Sequence, residues 1–168
     1  MNNVIQTGIS IIVCTYNGAD RLPKTLAHIA RQNVPENLSI ELIIVNNNST
    51  DDTVLVANKV WVAQDAPFAL IMLDEPRPGK GYAIETGYDA ARYSYIITVD
   101  DDNWLEENYV RRAYALIHQN PDIGLANGKG IAVFEKEQPD WFAAYAKSYA
   151  LGCPLPETGY YPVNKKLV

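Results

Sequence analysis

The stretch Tyr95-Ile96-Ile97-Thr98-Val99-Asp100-Asp101-Asp102-Asn103 is an apolar run that stops on three consecutive carboxylates. The apolar part has strand length. Side chains alternate along a strand, which puts Asp100 and Asp102 on one face and Asp101 on the other. Two like charges on one face repel, and a divalent cation between them relieves the repulsion. Hard oxygen donors suit Mg2+ or Mn2+ better than zinc, and a metal held by few carboxylates takes phosphate oxygens as further ligands. Capping of a following helix is the plainer reading, and Asn103 with Glu106 three residues on has that pattern. Capping alone leaves the three aspartates unexplained. A calcium loop of the EF-hand type is excluded: from Asp100 the sixth place is Leu105 rather than Gly, and the twelfth is Arg111 rather than Glu.

Three further polar clusters follow apolar runs or open a helix. Thr15-Tyr16-Asn17-Gly18 offers a tyrosine that could stack on a flat base and an asparagine that could hold a turn. An ordinary strand-to-helix turn with an exposed tyrosine accounts for it equally well. In Asn46-Asn47-Asn48-Ser49 the amides carry both donor and acceptor, which suits reading a base edge or a ribose, while a turn plus an N-cap at Ser49 is the simpler alternative. Gly79-Lys80-Gly81 opens a helix whose free amides and positive end attract an anion, with Lys80 adding charge and Arg77 nearby. It is neither a P-loop nor a dinucleotide fingerprint, since the glycine spacings of both are missing. His28 and His118 lie in helical patterns that show no ligand or catalytic spacing and read as structural. Trp141, Phe142, Tyr145 and Tyr149 read as the packing face of a last helix, with an acceptor-binding wall as the sharper alternative. No Ser-His-Asp or Cys-His arrangement is visible.

These residues need a scaffold that brings them together. Strand-length apolar runs at Ile9–Cys14, Ile40–Val45, Phe68–Leu73 and Tyr95–Val99 alternate with helical periodicity at Arg21–Gln32, from Ser49 on, at Gly81–Arg92 and at Leu105–His118. Ser49 with Asp52 three residues on predicts a capping box. Ala83, Gly87 and Ala90 on one helix side predict a close approach to the sheet. Short strands are expected at Asp122–Ala126 and Ile131–Phe134, and a proline-initiated helix at Pro139–Leu151. The tail from Gly152 to Val168 has no clear period. The alternation predicts an α/β fold, a mainly parallel sheet covered on both faces. In such sheets ligands bind beyond the carboxyl ends of the strands, where these clusters fall.

At 168 residues, 48% hydrophobic and 20% charged, the chain has the makings of one globular domain. A net charge of −6 argues against a nucleic-acid partner, which needs a basic face, but allows an anion met by a metal. Cys14 and Cys153 form no disulfide framework and no ligand spacing, and Cys14 reads as a buried thiol. No apolar stretch reaches membrane-span length and the N-terminus lacks a signal-peptide pattern, so a cytoplasmic chain is expected, with docking at a membrane through other parts left open.

From Ile9 to about Asn127 the chain resembles the family 2 glycosyltransferases of the GT-A, Rossmann-like fold. The resemblance rests on Ile11-Ile12-Val13-Cys14-Thr15-Tyr16-Asn17, Ile43 through Asp51, Gly79-Lys80-Gly81-Tyr82-Ala83, and Tyr95 through Asp102 with its Asp-x-Asp motif. It implies transfer of a sugar from a nucleotide-diphosphate donor to a saccharide or lipid-linked acceptor, usually with inversion. Thr15, Tyr16 and Asn17 match the donor-contacting segment. Asn46 and Asn47 stand where the family commonly has two aspartates, the second for the base. Lys80 matches a basic donor position, Asp100 and Asp101 the donor side, and Asp102, with Asp100, the metal site for Mn2+ or Mg2+. The general base of the family lies on a later segment, and Glu135, Glu137, Asp140 and Glu157 match no base motif. The expectation is therefore that residues 1–168 are a donor-binding domain lacking the acceptor half. A non-catalytic nucleotide-sugar-binding module is the alternative. A sugar-nucleotide pyrophosphorylase fits less well, because its glycine-rich basic loop is absent after the first strand.

Overall fold

The computed structural model describes residues 6–149 and 151. They divide into two compact units, the larger ending at Leu116 and the smaller beginning at Ile117. The larger unit holds the sheet. Strands β1 (Gln6–Thr15), β2 (Ile40–Asn46), β3 (Ala69–Asp74) and β4 (Tyr93–Asp100) pair in parallel in the order β3-β2-β1-β4. Helices α1 (Leu22–Ala30), α2 (Thr53–Ala63), α3 (Lys80–Ala90) and α4 (Tyr109–Gln119) connect or follow them.

The central strands are apolar at consecutive positions because both their faces are covered. Ile11, Ile12 and Val13 of β1 and Ile43, Ile44 and Val45 of β2 are fully buried. On one face Ile11, Val13, Leu42 and Ile44 pack with Leu22, Leu26 and Ile29 of α1, Trp61 of α2 and Val110 of α4. On the other, Ile12, Ile43 and Val45 meet Ala83 of α3. The small residues of α3 have the reason the spacing predicts: a Cβ on Gly87 would lie 2.6 Å from Ile12 Cγ2. Edge strand β4 alternates instead, with Val99 buried and Ile96 39% exposed.

The strand register sets the site. Cys14 is level with Asp100, Thr15 with Asn46, and Asn46 with Asp74. The polar ends therefore form one row at the carboxyl edge.

Several local expectations fail for identifiable reasons. Ser49 does not cap α2, because its hydroxyl accepts the Asn17 N–H; Asp51 instead accepts the Thr53 N–H at 3.1 Å and the Thr53 hydroxyl. The helix expected from Leu105 begins at Tyr109, and Glu106, not Asn103, accepts the Asn108 N–H. Asp122–Ala126 and Ile131–Phe134 form no strands: Leu125 is 90% exposed, and a short apolar run without a described neighbour to pair with does not hold a strand. The last helix shrinks to α5 (Phe142–Tyr145) and a 3-10 turn, Ala146–Tyr149. In that smaller unit Phe142 sits edge-on to Phe134 at 4.7 Å, while Trp141, Tyr145 and Tyr149 remain about half exposed. The Gly152–Val168 tail, with Cys153, lies outside the described residues.

Candidate functional site

At the carboxyl edge of the sheet an open cleft of about 390 Å³ is lined by the end of β1 (Cys14, Thr15, Tyr16), Arg21, Asn47, the start of α3 (Lys80, Ala83) and Asp100 to Asp102. A volume of that order suits a small organic ligand. The alternation expected for the aspartates does not apply, because β4 ends at Asp100. The chain then turns, the Asn103 N–H donating to the Asp100 carbonyl at 3.0 Å, and all three carboxylates line one cleft.

The three acids do different things. Asp100 accepts Lys80 Nζ at 2.5 Å, joining α3 to β4. This hydrogen bond raises the pKa of Lys80 and keeps it cationic. Asp101 is saturated: its Oδ1 accepts Arg21 Nε at 3.2 Å, and its Oδ2 accepts Arg21 Nη2 at 2.8 Å and the Thr15 hydroxyl at 2.7 Å. The Asp101 carbonyl also takes the Thr25 hydroxyl. Gly18 makes room for this knot, since a Cβ there would fall 2.0 Å from Thr15 Oγ1 and 2.8 Å from Asp101 Oδ2. Asp102 is exposed on the cleft and makes no hydrogen bond or ion pair among the described residues.

The asparagines are absorbed by loops. Asn17 Oδ1 accepts the Thr50 N–H at 2.8 Å, and its own N–H donates to Ser49, so it clasps the β1–α1 loop to the β2–α2 loop. Asn46 donates to Asp74 and accepts the Ser49 N–H, outside the main cleft, beside a smaller hollow with Asp74 and Glu75. Asn47 is buried, although it reaches the cleft wall. Its Nδ2 donates to the carbonyls of Glu75 and Arg77 at 3.0 and 2.7 Å, and its Oδ1 accepts the Gly79 N–H at 2.8 Å. Both of its N–H donors are thus used in shaping the 75–79 loop that leads into Lys80. An aspartate there could accept but could not donate to two carbonyls.

Arg77 does not line the cleft. Glu75 takes its backbone N–H, Nε and Nη2 at 2.8, 2.9 and 2.6 Å, and its guanidinium lies 4.5 Å over the Tyr82 ring. Hydrogen bonds from Arg77 and Thr86 hold the Glu75 carboxyl down at about 2. Tyr16 is 57% exposed on the cleft, a free platform. Cys14 is half-buried rather than buried, and burial pushes its thiol up to about 11, so it is no thiolate nucleophile at neutral pH. His28 hydrogen-bonds the Leu105 carbonyl and stacks on Trp104, in keeping with a structural part.

Arg21 was not singled out by its type or spacing. The one sequence signal is a cation at the N-terminal end of a helix, against the dipole; its partner Asp101 is 80 residues away.

Among the described residues no group of three or more His, Cys, Asp or Glu is arranged to cage a metal ion. The donor chemistry nevertheless fits a hard cation that draws most of its ligands from a phosphate and water. Asp102 presents unengaged carboxylate oxygens, and Asp100 sits two residues away on the same cleft.

A parallel sheet with helices on both faces and its polar cleft at the carboxyl edge is the GT-A arrangement. A mannosyltransferase from Pyrobaculum calidifontis, solved with GDP-Man and Mn2+, superposes with a TM-score of 0.61 at 27% identity, over 72% of this chain and 35% of that one. Staphylococcus aureus TarS residues 1–349 with UDP also gives 0.61, at 22% identity over 76% and 38%, which speaks for the fold. The model of glycosyl transferase family 2 matches residues 10–154, and the chain belongs to that family. GlyA, a glycosyltransferase of Streptococcus pneumoniae, is 26% identical over 74% of this chain and 17% of its own. The poly-beta-1,6-N-acetyl-D-glucosamine synthase of Staphylococcus epidermidis is 26% identical over 72% and 28%. The chain therefore spans well under a third of these curated relatives.

Proposed function

We propose that residues 1–168 are the nucleotide-sugar-binding part of an inverting glycosyltransferase that uses Mn2+ or Mg2+ and delivers the sugar to a saccharide or lipid-linked acceptor hydroxyl. The observation that carries this reading is the convergence of Tyr16, Lys80 and Asp100–Asp102 on one cleft at the strand ends. Family membership and the nucleotide sugars named with the solved relatives support it.

Breaking a glycosyl–phosphate bond builds positive charge on the sugar carbon and negative charge on the departing diphosphate. Lys80 is held on the cleft by Asp100 ready for that negative charge, and it stands at the N-terminal end of α3, where the helix dipole favours an anion. Tyr16 offers its ring to the base. Asp102, with Asp100, would hold the divalent cation, which when bound supplies Lewis-acid stabilisation of the leaving group. Asp101 and Asn47 act through others: one holds Thr15 and Arg21, the other shapes the loop before Lys80. No described residue is assigned as the general base.

Calorimetric titration with nucleoside diphosphates and their sugar conjugates, with and without Mn2+, tests the proposal. Metal-enhanced binding of a sugar nucleotide is expected. No binding of any nucleotide with either metal would overturn it. Binding without turnover across acceptors would leave a recognition module.

A further inference from the structure

The cleft carries a second cation that the motif residues do not include. Arg21 reaches it from the N-terminal end of α1, and Lys80 from the N-terminal end of α3. Helices α1 and α3 pack on opposite faces of the sheet. The two cations therefore approach the three aspartates from opposite sides.

Arg21 is oriented before any ligand arrives. A guanidinium has five N–H donors. One, on Nε, goes to Asp101, and Nη2 serves both Asp101 and the Tyr16 carbonyl at 3.0 Å, leaving the two donors of Nη1 without a partner among the described residues. The side chain is 44% exposed. An arginine at this end of a helix opposes the helix dipole, so helix stability does not explain it. Pairing with Asp101 explains how it is held, not why two donors are left over on a polar cleft. The cleft carries three carboxylates against two cations, Lys80 and Arg21, and an entering diphosphate adds more negative charge. A fork of N–H donors is the group that matches phosphoryl oxygens.

We propose that Arg21 is a direct contact for the diphosphate of the nucleotide donor, a binding residue opposite Lys80 that Asp101 holds in place. The proposal rests on the donor-binding function above and adds to it the group that reads the phosphates.

The test compares Arg21→Gln and Arg21→Lys with the unchanged chain, titrating a nucleoside diphosphate and the matching nucleoside in the presence of Mn2+. Arg21→Gln should weaken the diphosphate by about tenfold to a hundredfold and leave the nucleoside unchanged. Arg21→Lys keeps the charge without the fork and should fall in between; it carries the test if the glutamine variant does not fold. Equal weakening of nucleoside and diphosphate would overturn the proposal in favour of a purely positioning arginine. So would unchanged diphosphate binding, and in that case the donor-binding function would stand. Failure of the unchanged chain to bind any nucleoside diphosphate would overturn both.

Discussion

The sheet carries an acid–arginine pair at each end, and the two pairs behave differently. At the amino edge Glu41 of β2 is fully buried. Its Oε1 accepts the Ser10 hydroxyl at 2.6 Å and the Arg92 N–H at 2.9 Å, and its Oε2 accepts Arg92 Nε at 2.7 Å. Burial alone would raise its pKa, but the Ser10 and Arg92 hydrogen bonds outweigh it and hold the carboxyl below its ordinary value. At the carboxyl edge Asp101 and Arg21 make an equally close pair that stays open to the cleft, flanked by Asp100 and by the unengaged Asp102. A buried charge with both oxygens hydrogen-bonded inside the fold joins strands and offers nothing to a ligand. A charge cluster left open, with donors and oxygens to spare, is built to meet a ligand.

That contrast can be broken experimentally, and the largest effect should come from the open end. In the full transferase, Asp102→Asn is expected to lower metal-dependent turnover by roughly a hundredfold or more, as loss of one preorganised electrostatic group does. The melting temperature should stay within a degree or two. A large loss of stability would mean that Asp102 holds the fold. At the closed end, Glu41→Ala should do the reverse. It takes the acceptor from the buried Ser10 hydroxyl and the Arg92 N–H, while the half-exposed Arg92 guanidinium turns to water, and should cost about 1–3 kcal/mol in denaturant unfolding, with nucleotide affinity unchanged.

Smaller effects sharpen the comparison. Gly87→Ala should destabilise by about 1–3 kcal/mol, because α3 must lift from Ile12, and Lys80 should shift with it. Lys80→Met should leave stability alone, since its ion pair with Asp100 is exposed, and weaken nucleoside diphosphate binding by about tenfold. Glu75 gives the smallest signal. Its carboxyl is held at about 2, below its ordinary 4.5, so the stability it contributes is present above about pH 4.5 and fades as pH falls toward 2. Glu75→Gln should flatten the acid limb of a stability–pH profile in that window, and an unchanged limb would deny the Arg77–Thr86 clasp its role.

The four strands and their helices were legible because the two kinds of apolar period are local. The same is true of the carboxyl-edge clusters, which announce themselves as polar residues directly after apolar runs. What the sequence alone does not show is the partners. Three asparagines that look like ligand readers also hydrogen-bond neighbouring loops, and an amide engaged by groups 28 to 33 residues away looks no different in sequence from a free one. Ser49 has the composition of a cap and serves the other loop instead. The short runs after Asp122 have strand composition but no sheet neighbour among the described residues, and composition cannot supply one.

By itself, then, the sequence determined a parallel α/β sheet, its family pattern and the polar row at the carboxyl edge, since these follow from periodicity and order along the chain. Only the tertiary structure decided that Asp100, Asp101 and Asp102 divide into a lysine's partner, an arginine's holder and an unengaged oxygen donor. It also decided that Arg21 joins Lys80 on the cleft. Those assignments turn on which groups the strand register and the two helix faces bring within hydrogen-bonding distance, and that distance is not encoded in any local spacing.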